Sequence, residues 1–169
     1  IRLTMIVIWP NKFPSSVYVV ATGPESSTTF PMSCRMIPAY NRSLFNEGYN
    51  SSHPDELNRH DLCEEAMRLC LLLVNNKLTG DPKSKALMAL MCFQASRAEA
   101  RLHTDGSVIL LKDQDRSRWI RPVIEKGKYY LENAAEGDVF SEYHIEAAIA
   151  GCHARAASFA ETDWNQILQ

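Results

Sequence analysis

The chain has 169 residues, 46% of them hydrophobic and 22% charged, with a formal net charge of −2 and a pI near 6.2. That length suits one domain with its own core, and the composition is that of an ordinary globular protein. The acidic balance argues against a dedicated nucleic-acid surface, and no apolar run is long enough to span a membrane.

Residues 1–43 are expected to be irregular. They are rich in Pro, Ser, Thr and Val, with exposed-looking runs such as Val17-Tyr-Val-Val-Ala21. The chain starts at Ile1, so a fragment of a longer protein is expected. A helical domain is expected over 44–169. Phe45-Asn46-Glu47-Gly48-Tyr49 reads as a small binding loop or as an aromatic-flanked helix end with Gly at the exit. Pro54, Asp55 and Glu56 suit a first helical turn. The stretch to about residue 76 then places Cys63, Ala66, Met67, Cys70, Leu71 and Val74 at helical spacing. Leu62, Leu69, Leu72 and Leu73 widen that stripe, as in a helix buried on two sides.

Gly80 should end this helix and Asp81-Pro82 start the next, which is predicted to run to about residue 100. Its inward face is Ala86, Leu87, Leu90, Met91, Gln94, Ala95 and Ala98. Asp105-Gly106 between apolar flanks signals a hairpin, so a small two-stranded β-ribbon is expected near 101–111. A third helix is predicted over 121–135, with Pro122 in its first turn and Val123, Ile124, Gly127, Tyr130, Leu131 and Ala134 inward. Ser141 should cap a fourth, whose inward face is Ile145, Ala148, Ile149, Cys152 and Ala156, with Gly151 allowing close approach. Thr162-Asp163-Trp164 opens a fifth. The expected fold is all-α, an antiparallel helical-hairpin, repeat-like array, with Leu69, Leu90, Ile124 and Ile149 in one core.

The densest chemistry lies in Lys112-Asp113-Gln114-Asp115-Arg116-Ser117-Arg118-Trp119. Asp and Ser favour caps and turns, and an arginine fork holds a carboxylate at two points. A structured junction is predicted, with Trp119 packed inward, Asp113, Asp115 and Arg116 cross-bonded, and Arg116 paired with an acidic side chain. Asp113 and Asp115 could instead be paired carboxylates of a hydrolase, but capping and bracing is the better reading. Cys152-His153 and Cys63 with His60 invite a metal or thiol reading. Neighbouring residues on a helix point about 100° apart, and core cysteine beside surface histidine is favoured. The five cysteines include Cys34. They form no CxxC pair, and a disulfide framework or a cofactor is not expected. Arg97, Arg101, Arg116, Arg118 and Arg121 could form a basic strip, but intramolecular pairing with Glu99, Asp113 and Asp115 is the better reading.

Several segments recur in order in a known family. They are Phe45-Asn46-Glu47-Gly48-Tyr49, Asp61-Leu-Cys-Glu-Glu-Ala-Met-Arg-Leu69, Leu87-Met-Ala-Leu-Met91, Asp113-Gln114-Asp115-Arg116-Ser117-Arg118-Trp119, Tyr143-His-Ile-Glu-Ala-Ala-Ile-Ala150 and Thr162-Asp-Trp164. Together, over residues 44–169, they resemble the C-terminal extension of bacterial extracytoplasmic-function RNA polymerase sigma factors. The resemblance implies a helical domain likened to tetratricopeptide repeats. It implies a cytoplasmic, non-enzymatic role in transcription initiation, with the sigma regions of the same protein and the polymerase core as partners. No promoter-reading helix-turn-helix is recognisable here, so no direct DNA contact is expected, and a free-standing interaction module is the alternative. The family has Asp or Asn after the tryptophan; here that position is Ile120, which predicts a lost helix cap.

The segment from Met5 to Cys34 matches nothing in that family, and an out-of-frame translation is expected there. Residues 5–14 can be encoded so that the frame one base earlier reads NDRDLAKQIS, and residues 27–34 so that the same offset reads VHHVSHVL. The first peptide is polar and helix-compatible, and the second would run into Arg35-Met36-Ile37 as a helix. The gene's nucleotide sequence is expected to contain those codons, and the segment is expected to pack poorly with few buried contacts; other codons, or a segment well packed into the core, would end this reading.

Overall fold

The computed structural model describes residues 2–6, 16–22, 27–33, 36–51, 59–77, 79–136 and 140–169. Strands β1 (Arg2–Ile6), β2 (Ser16–Thr22) and β3 (Ser27–Ser33) form an antiparallel sheet in the order β1-β2-β3. Met5 pairs with Val19, and Val19 with Phe30. This corrects the expectation of an irregular segment. Val, Thr and Tyr are strand formers, and their density in β2 outweighs the Pro and Ser around them. Pro31 sits on β3, an edge strand, where a missing N–H is tolerated.

From Ile37 onward the described residues are mainly helical, as expected: α1 (Ile37–Tyr49), α2 (His60–Asn75), α3 (Pro82–Ala95), α4 (Arg121–Ala134), α5 (Glu142–Arg155) and the short α6 (Trp164–Leu168). Pro54 to Glu56, expected in the first turn of α2, lie outside the described residues. The start of α3 follows its sequence signal. The Asp81 carboxylate accepts the Ser84 amide at 2.8 Å, with Pro82 in the first turn.

Helix α3 is the axis of the domain and packs against α1, α2, α4 and α5. From Ala86 to Phe93 every residue is buried, which the alternation of Ala, Leu and Met permits on all sides. It stops at Ala95, short of the expected end, because the buried Ser96 turns back and its hydroxyl donates to the Phe93 carbonyl at 2.7 Å. The chain then passes through single 3-10 turns at Glu99–Arg101, Leu111–Asp113 and Arg116–Arg118 before α4 begins.

Between the first two of these turns, the Asp105-Gly106 hairpin forms with Gly106 at φ 83°. The ribbon is a single bridge, Leu102 to Val108, supported by Ile109 N to Arg101 O at 2.7 Å. Val108 and Leu110 are exposed, so no buried face extends it. As expected, Ile120 precedes α4 as its N-cap residue without a side-chain cap. Ser141 and His144 cap α5 reciprocally: the Ser141 hydroxyl lies 2.8 Å from His144 Nδ1, while Nε2 lies 3.1 Å from the Ala134 carbonyl.

The expected inward face of α5 is corrected. Tyr143, His144, Ala147, Gly151, Cys152 and Ala154 are buried, whereas Ile145 is 50% exposed and Ile149 half-buried. Close approach explains the choice. A Cβ on Gly151 would lie 3.4 Å from the Phe93 ring, and one on Gly127 of α4 only 2.8 Å from it. Small residues therefore face α3, and the isoleucines turn outward. Leu69, Leu90 and Ile124 are buried as expected. Leu90→Ala should cost about 3 kcal/mol, whereas Ile149→Ala should cost about 1 kcal/mol or less. Urea denaturation midpoints at constant slope check both.

Candidate functional site

Two arginines from the connection between α3 and α4 each reach the C-terminus of a distant helix. The last four carbonyls of a helix lack intrahelical partners and carry the negative end of its dipole, so a cation is stabilised there. Arg116 is buried and donates from Nη1 to the carbonyls of His153 and, at 3.0 Å, of Ala156. Its Nη2 lies 3.4 Å from the Thr162 hydroxyl, and its guanidinium is 5.0 Å from the Trp119 ring centre. One side chain thus joins the end of α5, the turn that leads to α6, and the buried Trp119.

Arg101 does the same for α1. It donates to the Tyr49 carbonyl and, at 2.9 Å, to Asn50 Oδ1, with its guanidinium 4.3 Å from the Tyr49 ring centre. Arg97 covers the same ring at 5.7 Å. Burial raises the Tyr49 phenol pKa, and Arg97 and Arg101 oppose that shift.

The structure brings the residues of the junction together but pairs them differently from expectation. Arg116 forms no ion pair with an acidic side chain among the described residues and binds main-chain carbonyls instead, with Glu161 acting on it only at longer range. Asp115 turns onto its own neighbours: Oδ1 accepts the Ser117 amide at 2.9 Å and the Ser117 hydroxyl at 2.7 Å. Those bonds hold its pKa below the usual carboxylate value, which suits a cap and opposes use as a general acid. Asp113 is exposed. Gln114 Nε2 donates to the Ile109 carbonyl at 3.0 Å, the Ile120 amide donates to the Ser96 carbonyl at 2.9 Å, and exposed Arg118 donates to the Glu99 carbonyl at 2.9 Å. The basic strip is therefore held largely by carbonyls and rings. A buried carbonyl without a partner costs more than a surface ion pair returns.

Asn46, Glu47, Gly48 and Tyr49 form the last turn of α1, not a separate loop. Gly48 lies inside the helix rather than at its exit, which corrects its expected place. A Cβ there would stand 2.7 Å from the Cys63 amide nitrogen and 2.9 Å from the Arg59 carbonyl, so glycine lets α1 touch the start of α2. Asn46 is exposed, and Glu47 accepts the Ser51 hydroxyl at 3.3 Å.

The cysteines at 63, 70, 92 and 152 are free and buried, and Cys34 lies outside the described residues. Burial pushes the Cys63 thiol to about 11 and those of Cys70 and Cys92 to about 12, which suits packing and not nucleophilic attack. Among the described residues no group of His, Cys, Asp or Glu could hold a metal ion, and no helix is long and apolar enough to cross a membrane. His60 is exposed beside buried Cys63, while His153 stacks on Phe159 and meets Trp164 edge to face. Sequence reading missed two contributors to the clamp, the carbonyls of His153 and Ala156. Thr162, visible only as a helix opener, is the third. Arg116→Lys keeps the charge but loses the fork, and should cost about 2 kcal/mol; Arg118→Lys, on the surface, should stay within about 0.5 kcal/mol. Denaturation of the two variants side by side is the measurement.

Residues 41–135, more than half of the chain, match the family of unknown function DUF6596. An uncharacterized protein of Rhizobium meliloti (strain 1021) is 42% identical over 124 residues, covering 73% of this chain and 29% of that protein. The chain therefore spans less than a third of the curated relative it matches. No solved structure matches it significantly. The matched span begins in α1 and ends just past α4, so it takes in the Tyr49–Arg101 clamp and the whole junction, and the chain belongs to DUF6596.

Proposed function

We propose that this chain is a regulatory C-terminal domain fragment of an extracytoplasmic-function RNA polymerase sigma factor. It would act in transcription initiation through intramolecular or protein–protein contacts. The observation that carries this reading is the ordered run of motifs from Phe45 to Trp164. Within it, the Asn46 to Tyr49 turn and the Asp113 to Trp119 junction serve as braces between helices. Residues used to brace helices suit a domain that transmits position rather than one that performs a reaction. The sigma regions of the same protein and the polymerase core are its partners in this reading, the cytoplasm is its compartment, and direct DNA contact is not part of it.

The alternative, a free-standing helical interaction module, makes the same use of the braces and differs only in what is attached. An in-frame helix-turn-helix in the coding sequence upstream of Ile1 separates the two. With the full-length protein and purified polymerase, Arg116→Lys should alter promoter output at least several-fold, while Arg118→Lys should leave it unchanged. Unaltered output from Arg116→Lys would remove the regulatory role. The 169-residue chain alone should shift promoter DNA no more than a neutral control protein at physiological salt; salt-sensitive, sequence-selective binding would overturn the absence of DNA contact.

A further inference from the structure

The turn that follows α5 is fastened to that helix through one hydroxyl. Thr162 is buried, and its Oγ1 lies 3.4 Å from Arg116 Nη2 and 3.4 Å from His153 Nδ1. A guanidinium can only donate, so the Thr162 oxygen accepts from Arg116 and its one hydrogen is left for the histidine. No other acceptor for that hydrogen lies among the described residues. His153 Nδ1 must therefore keep its lone pair, which leaves the ring neutral with its hydrogen on Nε2. The same ring stacks on Phe159 of the turn at 6.2 Å and meets Trp164, the first residue of α6, at 5.4 Å between ring centres. The relay from Arg116 through Thr162 to His153 thus closes the clamp on the turn as well as on the helix end.

We propose that His153 is an acid-sensitive latch: a proton taken up from solvent at Nδ1 breaks the relay and frees the turn, with α6, from α5. Two effects act together. The Thr162 hydroxyl hydrogen would face a second hydrogen and lose its acceptor where water hardly reaches. The imidazolium would also stand among cations. Arg116 and Arg97, both from the connection before α4, act on the ring, and Arg121 adds its charge at Arg116. The remaining charged groups are committed elsewhere. Glu161 of the turn is exposed and acts on Arg116, Asp163 accepts the Gln166 amide at 3.0 Å, and Arg155 of α5 donates to Gln166 and to Cys152. Burial first, then Arg116 and Arg97, hold the His153 pKa below the usual histidine value. The folded protein therefore binds fewer protons than the unfolded chain below about pH 6.5, and the latch weakens as pH falls through that range. Because α6 supplies Gln166 and Ile167 to a groove over Ile145, Ile149 and Cys152, its release bares the apolar side of α5. The inference is independent of the sigma-factor reading, since it rests on the relay alone.

Hydrogen exchange of the intact 169-residue protein at about pH 7.5 and about pH 5, corrected for the intrinsic pH dependence of exchange, tests it beside an NMR titration. At the acid pH the amides of residues 159–168 should lose protection at least tenfold, while those of residues 86–93 in α3 keep theirs. The His153 ring and the Trp164 indole N–H should shift along one titration curve. His153→Gln, which cannot take the proton, should protect residues 159–168 equally at both pH values. An acid loss as large in His153→Gln as in the unmodified protein would assign the effect to another group and overturn the latch. An equal loss in α3 would do the same, as general unfolding. Undiminished protection of residues 159–168 at the acid pH in the unmodified protein overturns it whatever the variant does.

Discussion

The packing of the helical domain depends on how the ends of α1 and α5 are closed. A helix C-terminus brought near a core presents carbonyls that water cannot reach, and each needs a donor. Here both sets of carbonyls are met by a guanidinium that also lies over an aromatic ring, Arg101 over Tyr49 and Arg116 over Trp119. Both arginines belong to the 25-residue connection between α3 and α4, bounded by Ser96 and Ile120. That connection has little regular structure and acts as a buckle. Its Asp and Ser side chains form its own turns, at Asp105 with Ser107 and at Asp115 with Ser117, and so free the arginines to reach outward.

The axis α3 explains why such a buckle is needed. A helix buried on every side must be surrounded by others, and those at its two flanks, α1 with α2 and α4 with α5, are covalently joined across it only through the connection. An ion pair in which Arg42 Nη2 donates to both carboxylate oxygens of Glu146, at 2.8 Å to each, links α1 to α5 directly. It is about one-third exposed on both sides, so solvent screens it and it adds little to the buried clamps.

Much of this was legible in the sequence where the cause is local. Asp81-Pro82, Asp105-Gly106 and Ser141 mark caps and a turn because the bonds they make lie within three residues. The burial of Leu69, Leu90, Ile124 and Trp119 follows from periodicity and size. What failed depends on distance or on relative size. Arg116 was expected to bond an aspartate near it in sequence. Its real acceptors lie 37 and 40 residues onward and are main-chain atoms, which no side-chain pattern announces. On α5 the periodicity points the greasier stripe inward, yet the Phe93 ring leaves room only for small residues, so space overrules hydrophobicity. In residues 1–43 the prevalence of Pro and Ser concealed three strands.

The position of each clamp along the chain has a consequence for synthesis. Ribosomes release roughly 5–20 residues per second, N-terminal first. Helices α1 to α3 can gather as they emerge, but the end of α1 stays open until Arg101 appears, 52 residues after Tyr49. Arg116 is in the opposite situation, because it emerges before α5 exists. For the roughly 2–8 seconds needed to make the next 40 residues, its guanidinium and the Trp119 ring stand beside a half-built core with nothing to hold. During that interval the nascent domain offers a cation and an indole to whatever is nearby, and it ceases to do so when the His153 and Ala156 carbonyls arrive.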